Sequence, residues 1–167
     1  MLPVIPYKHI RISTTLTVEE AVRLVSSAIS PRRTLDNWST PNGKDFEGSV
    51  TEQGFQIQKI IHHRNSFLPI LYGKFIPTEK GTKVEVHLTL DVLMIIFVCF
   101  WLAGFGGVFL FLARNSITTG EWDGSTWHIL AGIAFFYLMI FFSFGLYAKA
   151  TEEFIINLFS SYKIEQV

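Results

Sequence analysis

Two long apolar runs near the C-terminal end constrain this chain more than any other feature. They cover residues 92–113 and 129–148, contain 22 and 20 residues, and carry no charged side chain. As a helix, each would be about 30 Å long, which is the hydrocarbon thickness of a bilayer. Two core helices of a soluble protein would each need a polar stripe, and neither run has one. The pattern therefore predicts a transmembrane hairpin.

The charges that flank the two runs predict the orientation of the hairpin in the membrane. Lysines precede the first run and follow the second, whereas the intervening loop carries one arginine against two acidic residues. The residues concerned are Lys74, Lys80, Lys83 and Lys149 on one side, and Arg114, Glu121 and Asp123 on the other. By the positive-inside rule, both termini face the cytoplasm and the loop faces outward.

The rest of the chain has the composition of one small domain. The whole chain has 14 basic and 14 acidic residues, and residues 1–90 hold 11 basic against 8 acidic ones, an excess too small for a nucleic-acid partner. Cys99 is the only cysteine, so no intramolecular disulfide is expected. The first ten residues lack the apolar core of a signal peptide, so the first span is expected to direct insertion.

The pattern before the hairpin predicts an α+β fold with an antiparallel sheet and one N-terminal helix. Residues 17–30 read as that helix, with Thr17 and Glu20 at capping-box spacing. Residues 46–50 and 55–61 read as a hairpin in which Phe55 and Ile57 share a face. Further strands are predicted at 9–17, 68–76 and 83–90, and the last alternates apolar and polar side chains throughout.

The tail after Lys149 reads as a C-terminal amphipathic helix with Thr151 as its cap. Its apolar stripe is expected to be buried against another surface, which is either the bilayer surface or the sheet. Few basic residues lie on its polar face, which favours the sheet. The predicted division is a domain at 1–90, the hairpin at 91–149, and a helix at 150–167 that packs back on the domain. The stripe comprises Phe154, Ile155, Leu158, Phe159 and Tyr162.

Small residues in the two runs are predicted to pack the hairpin helices together, because they let helix backbones approach closely. They fall at the same depth if the second helix returns antiparallel to the first. The residues are Ala103, Gly104, Gly106 and Gly107 in the first run, and Ala131, Gly132 and Ala134 in the second.

Sites that would indicate catalysis, a cofactor or a metal are not predicted. On a strand, His62 and His63 would point to opposite faces and could not easily share one ion. Neither span contains an ionisable residue, which argues against a proton relay or an ion path. Cys99 lies in an apolar setting without a nearby histidine, so a nucleophile is not expected. The only conceivable enzymatic residues are the two histidines and Arg64, together with a carboxylate such as Glu85.

The turn formed by Arg64, Asn65 and Ser66 is the one polar group that could recognise something. It lies between two apolar strands. The simplest reading is a solvated turn, and the functional alternative is a contact with a partner or with a lipid headgroup.

The segments FEGSV, IIHHRNSFLPILYGKF and GTKVEVHL, with the spans that follow, resemble a group of small uncharacterised membrane proteins of cyanobacteria and Bacteroidetes. The resemblance covers most of the chain. It implies a strand-rich cytoplasmic domain with a C-terminal helical hairpin in the cytoplasmic or an internal bacterial membrane, and it implies no activity. The order of elements is also similar to helix-grip domains, which hold apolar ligands between sheet and helix.

Two functions are therefore expected. The first is a non-enzymatic membrane protein whose cytoplasmic domain docks another membrane protein or a second copy of the chain, as an accessory, assembly or scaffold subunit. The second is a membrane-tethered sensor that binds a lipid or another apolar molecule.

Overall fold

The computed structural model describes residues 5–32, 43–61, 65–120 and 124–162. Within these residues it contains six strands, one short helix and two long C-terminal helices. In chain order they are β1 Tyr7–Thr14, α1 Val18–Ala28, β2 Ser30–Pro31, β3 Phe46–Thr51, β4 Gly54–Lys59, β5 Ile70–Thr78, β6 Gly81–Thr89, α2 Val92–Thr119 and α3 Gly124–Ser160. The predicted α+β class and the pair of long apolar helices are confirmed.

The strands form one sheet with the order β1-β6-β5-β4-β3-β2. It is mixed rather than antiparallel as predicted, because β2 runs parallel to β3, with Ser30 opposite Glu47. Pro31 cannot continue α1 and favours an extended chain around it, so the polypeptide leaves the helix as a short edge strand. The backbone N–H of Arg32 then donates to the carbonyl of Gly48 at 3.0 Å.

The N-terminal helix begins where its capping box predicts. Thr17 is the N-cap, and its Oγ1 accepts from the backbone N–H of Glu20, whose carboxylate accepts from the N–H of Thr17 at 2.8 Å. The hydrogen bonds that the Glu20 carboxylate accepts from the backbone N–H and from the hydroxyl of Thr17 hold the pKa of Glu20 below its ordinary value. Ala21 and Val25 on its inner face are fully buried in the core.

One face of the sheet forms the core with α1 and the end of α3. The alternation predicted for β6 is confirmed, since Val84, Val86 and Leu88 are fully buried. Phe55 and Ile57 of β4 are buried in the same core. Because side chains alternate along a strand, the polar residues between them lie on the opposite face, which we call the outer face.

The last helix differs from the prediction of a separate tail helix capped by Thr151. α3 is a single helix of 37 residues that continues from the apolar run into the domain core. Thr151 lies in its interior, where its Oγ1 donates to the Tyr147 carbonyl at 2.9 Å. The junction from Lys149 to Glu153 contains no glycine or proline, and alanine, lysine and glutamate all favour a helix. The charges there mark a change of surroundings, not a break in the helix.

Candidate functional site

The connection between sheet and hairpin is the feature that positions any site on this molecule. Only Leu90 and Asp91 separate β6 from α2. Leu90 is fully buried, and the Asp91 carboxylate caps the helix by accepting from the N–H of Leu93 at 2.9 Å. Neither residue is left to act as a flexible linker, so the direction of β6 determines the direction of α2.

The end of α3 is anchored in the domain core. Ile155 and Phe159 are fully buried, and the ring of Phe154 stacks on Phe46 of β3 with centroids 4.0 Å apart. Beyond α3, the carbonyl of Tyr162 accepts from the N–H of Thr15 at 2.9 Å. The hairpin is therefore held to the domain at both of its ends.

Large aromatic side chains make the contact between α2 and α3 in the half of the hairpin nearest the domain. The ring of Trp101 lies 4.0 Å from that of Phe136, and Phe97 meets Phe136 edge-on at 6.3 Å. Val98 and Ile140 are buried beside them.

The predicted small-residue contact differs from this arrangement. All five of its central residues are exposed, and a Cβ added at any of the three glycines would meet no atom within 4 Å. The aromatic contact sets which faces of the helices meet, and it turns these residues away from the partner helix. They are Ala103, Gly104, Gly107, Ala131 and Gly132.

The apolar surface of the hairpin is largely uncovered by the described parts of the chain. Both α2 and α3 are long and apolar enough to cross a membrane, and only 6% and 11% of their most apolar windows are buried. Leu93, Phe100 and Phe135 are among the large side chains exposed there. Core helices of a soluble protein would be mostly buried, and a contiguous exposed apolar surface of this kind is typical of a membrane or protein interface.

Three aromatic side chains cluster on the outer face of the sheet where β1 and β6 approach the hairpin. His9 and His87 are opposite each other in the paired strands, and their rings stack with centroids 4.5 Å apart and planes 6° apart. The Tyr7 hydroxyl shares a hydrogen bond of 2.6 Å with Nδ1 of His87. This Tyr7–His9–His87 cluster is accessible, since Tyr7 and His9 are exposed.

Next to this cluster is a short row of charges. Lys83 donates to Glu85 with Nζ and Oε1 2.8 Å apart, and Arg11 Nε lies 3.7 Å from the same oxygen. The hydrogen bond from Lys83, assisted by the charges of Lys83 and Arg11, holds the pKa of Glu85 below its ordinary value. Glu85 is therefore ionised at neutral pH and is engaged with two cations, which suits a polar contact surface better than a general acid.

A groove of about 450 Å³ lies on the other side of Tyr7, between the start of β1 and α3. We call it the junction groove. Its floor is apolar, and its rim carries Lys8, Lys149 and Glu152. Lys8 forms an ion pair with Glu152 across the groove. The apolar part is formed by Pro6, Phe141, Phe144, Gly145 and Ala148.

The predicted polar turn is only partly described, since Arg64 lies outside the described residues, as do His62 and His63. Asn65 Oδ1 accepts from the N–H of Phe67 at 3.0 Å, and Ser66 is exposed. The ring of Phe67 meets Phe136 of α3 edge-on at 6.3 Å. The turn therefore lies beside the hairpin, and the Asn65 side chain is used in its local structure. Among the described residues, no group of three or more potential ligands could hold a metal ion.

Comparison with protein-family models and with curated proteins finds no match to this chain. The Tyr7–His9–His87 cluster and the junction groove were not anticipated from the sequence. The available signal was the alternation of polar residues in β1 and β6, but that pattern does not say that the two strands are neighbours.

Proposed function

We propose that this is an integral membrane protein whose hairpin holds the α+β domain in a fixed orientation at the cytoplasmic membrane surface. The domain docks a partner there, as an accessory, assembly or scaffold subunit of a membrane complex. The observation that carries the proposal is the continuity of α3 from its apolar run to the core residues Ile155 and Phe159. A domain tethered only to stay near the membrane would need no rigid connection, whereas a docking domain benefits from a fixed orientation.

The outer face of the sheet is the surface best suited to the partner. No described helix covers it, and it carries the Tyr7–His9–His87 cluster together with the charged row of Arg11, Lys83 and Glu85. Tyrosine and arginine are enriched where proteins contact each other. Mixed charges that are already partly paired favour a polar protein surface over a strongly acidic or basic polymer.

The alternative function, a sensor with an apolar ligand between sheet and helix, has less support. That space is occupied by side chains of the core, including Val84, Val86 and Leu88 from the sheet and Ile155 and Phe159 from α3, all fully buried. Close-packed interiors of this kind leave no room for a ligand without rearrangement.

The proposal makes a prediction about topology. Both termini should be cytoplasmic, with the turn between α2 and α3 on the other side, because lysines flank the hairpin on the domain side. A single cysteine placed at Ser125, after replacement of Cys99 by serine, should react with an impermeant maleimide only from outside intact cells. A second cysteine variant at Lys80 should react only after the cells are opened. Labelling of the Ser125 position from the cytoplasmic side alone would reverse the assignment.

The outer face is expected to be the docking surface in cells. A photo-crosslinking phenylalanine analogue at Tyr72, which lies opposite His87 on the neighbouring strand, should yield an adduct of one defined size. The same analogue at Arg23, exposed on α1, is the matched control and should yield none. The substitution His9→Ala should reduce the Tyr72 adduct, because it removes half of the stacked pair.

The mass of the adduct identifies the occupant. Twice the mass of the chain would indicate a second copy, and any other single mass a different subunit. Recovery of the uncrosslinked chain at both positions, or equal crosslinking from Tyr72 and Arg23, would contradict the docking surface.

A further inference from the structure

We propose that the partner docks by adding an extended segment with acidic residues to the free edge of the sheet at β1. This inference rests on the proposed function, since it concerns the partner of the same docking domain. It specifies how the main chain of that partner is held and which charge its side chains carry.

The free edge is the side of β1 that faces away from β6. β1 is the first strand in the sheet order, and among the described residues only β6 pairs with it. The backbone hydrogen bond between Thr15 and Tyr162 comes after its last residue. In an edge strand, alternate backbone N–H and C=O groups point away from the sheet without a strand partner. An extended main chain is the ligand that satisfies such a row of donors and acceptors.

The two edges of the sheet differ in what they offer to such a ligand. The edge strand β2 has only two residues, and the second, Pro31, has no N–H to donate. β1 has eight residues and no proline. Its half nearest the hairpin is open, since Tyr7 is 53% exposed and the side chains of Lys8 and Arg11 are 47% and 65% exposed. β1 is therefore the edge that suits a further strand.

The charges on the outer face beside the free edge favour an acidic segment. Three of the four charged side chains on this face of β1, β5 and β6 are cationic, which leaves a balance of two positive charges. Glu85 is already shared by Lys83 and Arg11, and Lys74 is exposed opposite Glu85 on the neighbouring strand. A carboxylate on the added strand would lie beside Arg11 and be attracted to it. The four residues are Arg11, Lys74, Lys83 and Glu85.

The inner side of the free edge does not alter this balance. Lys8 is paired with Glu152, and Lys149 is paired with Glu153, so these four charges cancel. Side chains alternate between the two sides of a strand. The acidic residues of the added segment are therefore expected at every second position, on the outer face.

A second copy of the chain does not fit as the added strand. β6 leads directly into the hairpin, so its antiparallel neighbour β1 runs away from the hairpin. Two β1 strands paired antiparallel would direct their hairpins to opposite sides, which is incompatible with two copies in one membrane. Any pairing of the two would also bring together strands that each carry Lys8 and Arg11 and no carboxylate, and like charges across strands are destabilising.

The experiment uses the full chain in its native membrane, with a photo-crosslinking phenylalanine analogue at Tyr7, His9 or Ser13 in turn. These positions share the outer face of β1 and are two and four residues apart. The partner residues that they reach, mapped by peptide mass spectrometry, should lie on one segment in linear order with the same spacing, because paired strands advance together. An aspartate or glutamate should lie between the residues reached from His9 and Ser13, opposite Arg11.

The charge of the segment is tested by substitution at Arg11. Arg11→Gln should lower the adduct yield from His9 about threefold, the effect of losing one exposed ion pair, whereas Arg11→Lys should retain the yield. Arg23→Gln, on the exposed side of α1, is the matched control and should leave the yield unchanged. Equal yields from Arg11→Gln and the wild type would overturn the acidic segment.

The failure of this inference is distinguishable from failure of the proposed function. Adducts spaced as on a helix, scattered over several segments, or formed with a second copy of the chain would overturn strand addition and leave the docking surface intact. A defined adduct from Tyr72 with none from β1 would do the same. Absence of adducts from Tyr72 and from all three β1 positions would contradict the docking surface itself, and strand addition with it.

Discussion

Replacing Phe159 by alanine should lower the free energy of unfolding of the α+β domain by about 3 to 5 kcal/mol, the usual cost of deleting a fully buried aromatic ring. Phe159 is 0% exposed and lies in the core shared by the sheet and α1. Domains of this size are stable by only about 5 to 15 kcal/mol, so this one substitution removes a large part of the total. Pulse proteolysis in a urea series, on the full chain in mild detergent, measures the change.

The matched control is Ile156→Ala on the same turn of α3. Ile156 is 40% exposed, so shortening its side chain to alanine should cost much less stability than the same change at Phe159.

Truncation of the chain after Ala150 removes Ile155 as well as Phe159 and should leave the hairpin inserted beside a protease-sensitive domain. A truncated protein as resistant to proteolysis as the full chain would show that the end of α3 does not stabilise the domain.

Inserting one alanine between Lys149 and Ala150 should destabilise the domain by at least as much as Phe159→Ala, about 3 to 5 kcal/mol. In a helix with 3.6 residues per turn, one extra residue rotates everything after it by about 100°. Thr151, Ile155 and Phe159 form the buried stripe at four-residue spacing, and the insertion would turn that stripe away from the sheet. To restore the buried stripe, α3 would have to unwind locally or the domain would have to tilt relative to the hairpin. Otherwise the packing of the stripe against the sheet would be lost.

The control for the insertion is the same alanine placed after Gly120, where α2 ends with Gly120 in the left-handed conformation, at φ +76°. That insertion leaves the register between the apolar run of α3 and its buried stripe unchanged. We expect wild-type resistance in urea pulse proteolysis for the Gly120 insertion and early cleavage for the insertion after Lys149. Equal resistance of both proteins would mean that the hairpin and the domain are not rigidly coupled, and the main support for the proposed function would be lost.

Local patterns were enough to predict several parts of this fold. The alternation in β6 predicted which side chains are buried, because successive residues of a strand point to opposite faces. Thr17 and Glu20 predicted the start of α1, since a capping box is complete within four residues. The absence of charge over two runs of about 20 residues predicted the two long apolar helices.

The membrane orientation, the domain division and the partner remain predictions from the sequence. The division at residue 150 is a boundary in composition, and α3 passes through it without interruption. Charged and capping residues are found at helix ends, so the change in composition predicts a helix start there. The same residues also favour the interior of a continuous helix, so local sequence could not separate the two outcomes.

What the tertiary structure decided is which elements meet. Small residues allow two helices to approach but do not require it, and the contact of the Trp101 ring with the tilted ring of Phe136 selected different faces of α2 and α3. His9 and His87 lie 78 positions apart, and Lys8 and Glu152 lie 144 apart, so their contacts depend on strand order and on the path of α3. Periodicity determines which face of an element is apolar, whereas the choice of its neighbour depends on non-local packing that no single segment encodes.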